Sequence, residues 1–191
     1  SLTLDREMTA YTGLVTLVQL SACVLGDKNK MSYDAGISYI RNVLEATRTL
    51  QKNPDDLDAR GIIMLGASLS TSSRIGIGKE EPFAYDIYEL EFLPEKLFGS
   101  TYRRSLTSIF PRFLAAMGRH HAAEVEKYCR DAFGFGSSIE ESSRKLIELF
   151  SGFGAEMYFD GKISREQVDS IPCRTELTPN EVFELMNSLI R

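Results

Sequence analysis

The sequence predicts an all-α chain, a multi-helix array of about eight helices that forms a single helical domain over residues 1–191. Three observations lead there. Apolar residues recur at the helical period through most of the chain, no segment shows the strict alternation of a half-buried strand, and capping residues and breakers fall at helix-length intervals. No internal repeat, low-complexity segment or long linker divides it.

The first helix is expected after Asp5 as N-cap and runs to Leu25, with Leu14, Leu17, Val18, Val24 and Leu25 at helical spacing before GDKNK breaks it. A second opens at Ser32 and carries Ile37, Ile40, Val43 and Leu44 to the QKNPDD turn. A third begins near Asp55, where Gly66, Ala67, Ser68 and Ser70 are small enough for another helix to approach closely. After Pro82 a helix carries Asp86, Glu89 and Glu91, then turns around Pro94 and Gly99. The next segment, RRSLTSIFPRFLAAM, is kinked or restarted by Pro111. RHHAAEVEKYCRDAFGF is amphipathic, and SSIEESSRKLIELFSGF opens with Ser137 or Ser138 ahead of Glu140 or Glu141, the pattern of a capping box. ISREQVDSI is short, and LTPNEVFELMNSLI ends the series with Thr178 as N-cap and Pro179 at the first helical position.

A formal net charge of −5 and a pI near 5.2 argue against a dedicated nucleic-acid binder, which needs concentrated Lys and Arg. The most apolar run, residues 13–25, is interrupted by Thr16, Gln19 and Ser21 and falls short of the roughly 20 apolar residues that span a bilayer, so a core helix is expected and no membrane partner. No secretory signal pattern opens the chain, and Cys23, Cys129 and Cys173 give neither a disulfide framework nor a metal clip. The expected compartment is the reducing cytoplasm.

NPDDLDARGIIMLGASLSTSSRIGIG resembles the segment of iron-containing alcohol dehydrogenases in which an Ala-Arg pair opens a small-residue helix beside the active site. FAYDIYELEFLPEKLFGSTYRRSLTSIFPRFL is similar to that family's next stretch, where a His-bearing helix leads through a turn to a second metal-binding His and a helix ending in Pro. The first and last predicted helices resemble the ends of the same domain, within the butanol-dehydrogenase-like branch and the wider dehydroquinate-synthase-like superfamily. The resemblance implies the family's C-terminal helical domain alone. The N-terminal dinucleotide-binding domain has no counterpart, since GIGK at 76–79 lacks a preceding strand. Ser1 falls near the expected junction, which reads either as an excised domain or as a free-standing derivative.

In that family a divalent iron or zinc is held by an Asp and a His one turn apart on the first helix and by two later histidines flanking a turn. The resemblance lays the first pair on Leu14 and Val18, the third position on Asp86 and the fourth on Tyr102, or on Phe98 if FG replaces His-Gly. Leu and Val cannot bind a metal, so these are read as degenerate ligand positions with no metal and no cofactor held by this chain; the family's own cofactors are the divalent ion and NAD(P). Asp86, Tyr85 and Tyr102 are the expected polar contacts of a cleft. A compensating site from Asp86, Glu89 and Glu91 stands against an ordinary solvated face, because Glu91 points away from the other two.

Other chemistry is thin. His120 and Glu124 stand at i and i+4, but this is not HExxH, and adjacent histidines diverge by about 100° on a helix; exposed imidazoles at a helix start are the plain reading. Cys23 reads as an inert core thiol, and the serines at 68–73 lack a nucleophile elbow. Three functions are therefore weighed. The first is a helical domain that has lost its metal site and is not a competent dehydrogenase alone. The second is an interaction or dimerisation module in which the surface around the first helix and SRIGIGKEEPF, which would pack on a nucleotide-binding domain in the family, binds another protein or a second copy; the possible partners are thus an N-terminal nucleotide-binding domain or a homodimer. The third is half of an NAD(P)-dependent alcohol or aldehyde oxidoreductase.

Overall fold

The computed structural model describes residues 5–72, 74–79, 83–136 and 138–191, and only the backbone of Arg6. The expected starting points at Ser137 and Pro82, and Ser73, Glu80 and Glu81 of SRIGIGKEEPF, lie outside the described residues. Among those described there is no strand, only two isolated bridges, Asp27 with Lys79 and Phe159 with Ile190.

Local chemistry sets the helix starts. Asp5 accepts from Met8 N–H at 2.7 Å and opens α1, Arg6–Val24. The second helix, α2 (Lys30–Lys52), starts two residues before the expected Ser32 because Asn29 is the cap, its side chain accepting from Ser32 N–H at 3.0 Å. Asp56 caps α3, Leu57–Ser70, through Ala59 N–H at 2.9 Å. The stretch expected as one acidic helix is broken into a 3₁₀ turn (Phe83–Asp86), α4 (Ile87–Leu90) and α5 (Phe92–Phe98). Glu91 sits at the break. Pro94 does not make the turn: it lies in the first turn of α5, where its missing N–H costs little, and Gly99 at φ 64° ends the helix.

The sixth helix, α6 (Tyr102–Met117), runs through Pro111 without restarting. Next come α7 (Ala122–Phe133) and α8 (Ile139–Gly152), capped by Ser138 onto Glu141 N–H at 3.1 Å, and then α9 (Arg165–Asp169) and α10 (Pro179–Asn187). The last two carry full reciprocal capping boxes, Ser164 with Gln167 and Thr178 with Glu181.

Two helices form the centre. α1 buries Leu14, Leu17, Val18, Leu20 and Val24, and α6 buries Ile109, Phe110, Phe113, Leu114 and Met117. Phe110 stacks on Phe150 of α8 at 6.1 Å and meets Tyr128 of α7 edge-on at 6.5 Å, while the Tyr128 hydroxyl is hydrogen-bonded to Ser21 of α1. Of the small residues expected to admit a neighbour, Gly66 does so, whereas Ser68 is exposed: a Cβ on Gly66 would lie 2.7 Å from Val43 of α2 and 3.1 Å from Thr16 of α1. That close approach brings the C-terminal end of α3 against α1 and places Ser70 beside Gln19.

Candidate functional site

Three elements meet at one side of α1. Thr12, Val15 and Gln19 leave the core on a helical stripe, α3 contributes Ala67 and Ser70, and the start of α6 contributes Tyr102 and Arg103. They enclose a cleft of about 450 Å³. Gln19 ties the elements together: its Nε2 donates to the Tyr102 hydroxyl at 3.2 Å and its Oε1 accepts from Ser70 Oγ at 3.3 Å. Burial chiefly raises the Tyr102 phenol above its ordinary value, the bond from Gln19 opposes this, and the charges of Glu91 and Glu95 add to it. The phenol is neutral at physiological pH.

A tyrosine wall continues from this cleft. Tyr85 and Tyr88 stack with centroids 6.3 Å apart, and Lys79 Nζ sits 4.0 Å over the Tyr85 ring. Burial pulls the Lys79 amine down to about 8, with Cys23 and Asp27 pulling the other way. The Cys23 thiol donates to Ser70 carbonyl at 3.3 Å and is pushed up by burial, which suits the expected inert core thiol. Tyr88 is raised by burial first, then by Cys23, Tyr102 and Tyr85, so these groups are electrostatic neighbours.

The expected ligand positions scatter. Leu14 and Val18 are 1% and 0% exposed and belong to the hydrophobic core; the cleft is lined instead by two pairs one turn apart, Thr12 with Thr16 and Val15 with Gln19. Asp86 does not turn to Tyr102: its carboxylate accepts from the Glu176 backbone N–H at 2.8 Å. Tyr102 does line the cleft, whereas the alternative, Phe98, stacks on Phe159 at 4.6 Å. Tyr85 is 40% exposed beside Lys79. Glu91, read as part of a solvated face, is 3% exposed, and its Oε2 has no hydrogen bond among the described residues. Burial, then the charge of Glu95 and a hydrogen bond to it, push Glu91 up to about 7.

The histidine pair also differs from expectation. α7 begins only at Ala122, so His120 and Glu124 do not share a helix. His120 bonds Glu181 of α10 at 2.9 Å, His121 bonds Glu176 at 2.5 Å and stacks on Phe83 at 4.0 Å, and Glu124 pairs with Lys28. Among the described residues no group of three His, Cys, Asp or Glu side chains is arranged to hold a metal ion.

By sequence, no protein-family model and no curated protein matches the chain. By structure, the match is extensive. NADH-dependent butanol dehydrogenase A from Thermotoga maritima is 18% identical with a TM-score of 0.83 over 100% of this chain and 54% of its own. The fold is that of iron-containing alcohol dehydrogenases. An enzyme of that description from Corynebacterium glutamicum matches at 17% identity and TM-score 0.67, over 100% of this chain and 54% of its own. Maleylacetate reductase from Agrobacterium tumefaciens matches at 15% identity and 0.72, over 99% and 54%. The chain spans about half the length of these solved structures, which fits the helical C-terminal domain of the iron-containing alcohol dehydrogenase fold that the sequence resemblance implied. No described helix is long and apolar enough to cross a membrane.

Proposed function

We propose that this chain is an iron-containing alcohol dehydrogenase-like helical domain whose cleft has lost the metal centre, and that it does not perform dehydrogenation alone. The observation that carries this reading is the pair Val15 and Gln19 facing Tyr102 across the cleft. A divalent ion is held by carboxylates and imidazoles that offset its dehydration. Here the side-chain donors are the hydroxyls of Thr12, Thr16 and Thr101, an amide and a neutral phenol, and Arg103 adds a positive charge. The residues present do not fit the ion.

In a two-domain protein, this half would form one wall of the substrate cleft, with Gln19 and Tyr102 as polar contacts and Tyr85 and Tyr88 behind them. Asp86, the third expected contact, is committed to the Glu176 backbone. The register is testable. Val15→Asp combined with Gln19→His should fold and gain zinc affinity, because both positions face the cleft. Leu14→Asp combined with Val18→His puts two polar groups in the core and should abolish the cooperative thermal transition. Zinc binding by the second pair and not the first would contradict the assignment.

A second reading, association, is favoured by exposed apolar side chains. Leu57, Met64 and Leu65 of α3 are 67%, 65% and 60% exposed, and Ile77 and Phe92 are also open. The partner in this reading is a nucleotide-binding domain such as the remaining half of the matched structures, or a second copy. Light scattering after size exclusion should show concentration-dependent dimers that Met64→Lys with Leu65→Lys return to monomer. A strict monomer at every concentration would remove the self-association branch.

A further inference from the structure

A second cleft, unrelated to the Gln19–Tyr102 site, lies between α6, α8 and α10 and encloses about 470 Å³, within the range of small-molecule pockets. Its apolar lining is formed by Ala115, Ile147 and Leu185, and Tyr158 also lines it. Arg112 enters from α6. It is 7% exposed, its guanidinium carbon lies 4.8 Å from the Tyr158 ring centre, and Nε and Nη1 donate to the carbonyls of Ser188 and Ser108 at 3.1 and 2.8 Å.

Arg112 differs from the other two arginines of this cleft. Arg119 is paired with Glu184 at 2.9 Å, and Arg144 with Glu148 at 2.5 Å. No carboxylate pairs with Arg112 among the described residues. Two carbonyl acceptors and the Tyr158 hydroxyl use only part of a guanidinium's five-donor fork, and none of them is a carboxylate that would compensate its charge in a buried setting. Burial accordingly pulls its pKa below the ordinary value, with Tyr158 opposing. A carboxylate is the planar partner that this fork accepts in bidentate geometry.

We propose that the α6–α8–α10 cleft binds a small monocarboxylate with an apolar body about the size of a benzoate, its carboxylate on Arg112 and its body on Ala115, Ile147 and Leu185. The surrounding charges select against a polyanion. The lining holds Glu140, Glu148, Glu181 and Glu184 against three arginines, so one negative charge is accepted at Arg112 and further charge is repelled.

The test is isothermal titration of the 191-residue chain with benzoate, with hexanoate and with inorganic phosphate as separate probes. Benzoate and hexanoate should bind at one site with millimolar or tighter affinity, and phosphate at least tenfold more weakly. Ala115→Glu leaves the Arg112 contacts to α10 in place but puts a carboxylate in the cleft, and it should weaken benzoate at least tenfold while the protein stays folded. Arg112→Lys should weaken it too, since an ammonium lacks the fork. Absence of benzoate binding, equal binding of phosphate, or unchanged benzoate binding in Ala115→Glu would overturn the proposal. None of these outcomes depends on whether the chain is a dehydrogenase-like domain.

Discussion

Glu91→Gln should stabilise the protein by about 3 kcal/mol at pH 8 and hardly at all at pH 4. The carboxyl is buried beside Glu95 and its folded pKa is raised from the ordinary 4.5 to about 7. The unfolded chain therefore releases this proton more readily than the folded one. Stability linked to Glu91 is complete below about pH 4.5 and is lost as pH climbs through 7, at about 1.4 kcal/mol per pH unit between the two values. Glutamine occupies nearly the same volume and never ionises. Urea titrations of both proteins at several pH values measure the difference directly. Curves that keep a constant separation from pH 4 to 8 would mean that Glu91 is solvated, and that the break between α4 and α5 does not bury it.

The second large effect lies at the seam of α1 and α2. Gly13→Ala should destabilise by about 1–3 kcal/mol, although alanine is the better helix former by about 1 kcal/mol. The new Cβ would lie 2.2 Å from Thr47 Oγ1 and 3.0 Å from its Cγ2, and that hydroxyl is itself donated to Val43 carbonyl at 2.8 Å. Adding Thr47→Ala removes the two nearest atoms and leaves Thr47 Cβ at 3.1 Å, so the double variant should recover most of the single-variant loss. Thermal melts of the four proteins form a double-mutant cycle with a coupling energy of about 1–3 kcal/mol. Additive effects would show that the two helices do not approach at Gly13.

These residues also mark what the sequence made legible. Helix starts depend on a few adjacent residues, so Asp5 and Thr178, and Ser138 as one of two candidates, are readable as caps, whereas Asn29 is masked because Ser32 is an equally plausible cap three residues later. The resemblance to iron-containing alcohol dehydrogenases named the fold that the structural matches show. The rotational phase of α1 was not readable. The helix is buried on nearly every side, so its hydrophobic pattern has no polar face to fix which pair meets the cleft, and a one-residue error turns the prediction through about 100°. Leu14 and Val18 therefore lie in the core, while Val15 and Gln19 of the same helix line the cleft. Glu91 and Arg112 were missed for another reason: charged residues are read as exposed by default, and only tertiary packing shows these two to be buried. Glu91 at the end of an otherwise periodic segment was the available signal that the acidic helix breaks there.

The cleft formed by Val15, Gln19 and Tyr102 is proposed to hold no divalent ion. Elemental analysis of protein produced with supplemented iron and zinc, purified without chelator and dialysed, tests it most directly. Far less than one ion per chain is expected in the natural sequence. One iron or zinc per chain in the natural sequence, surviving dialysis, would contradict it.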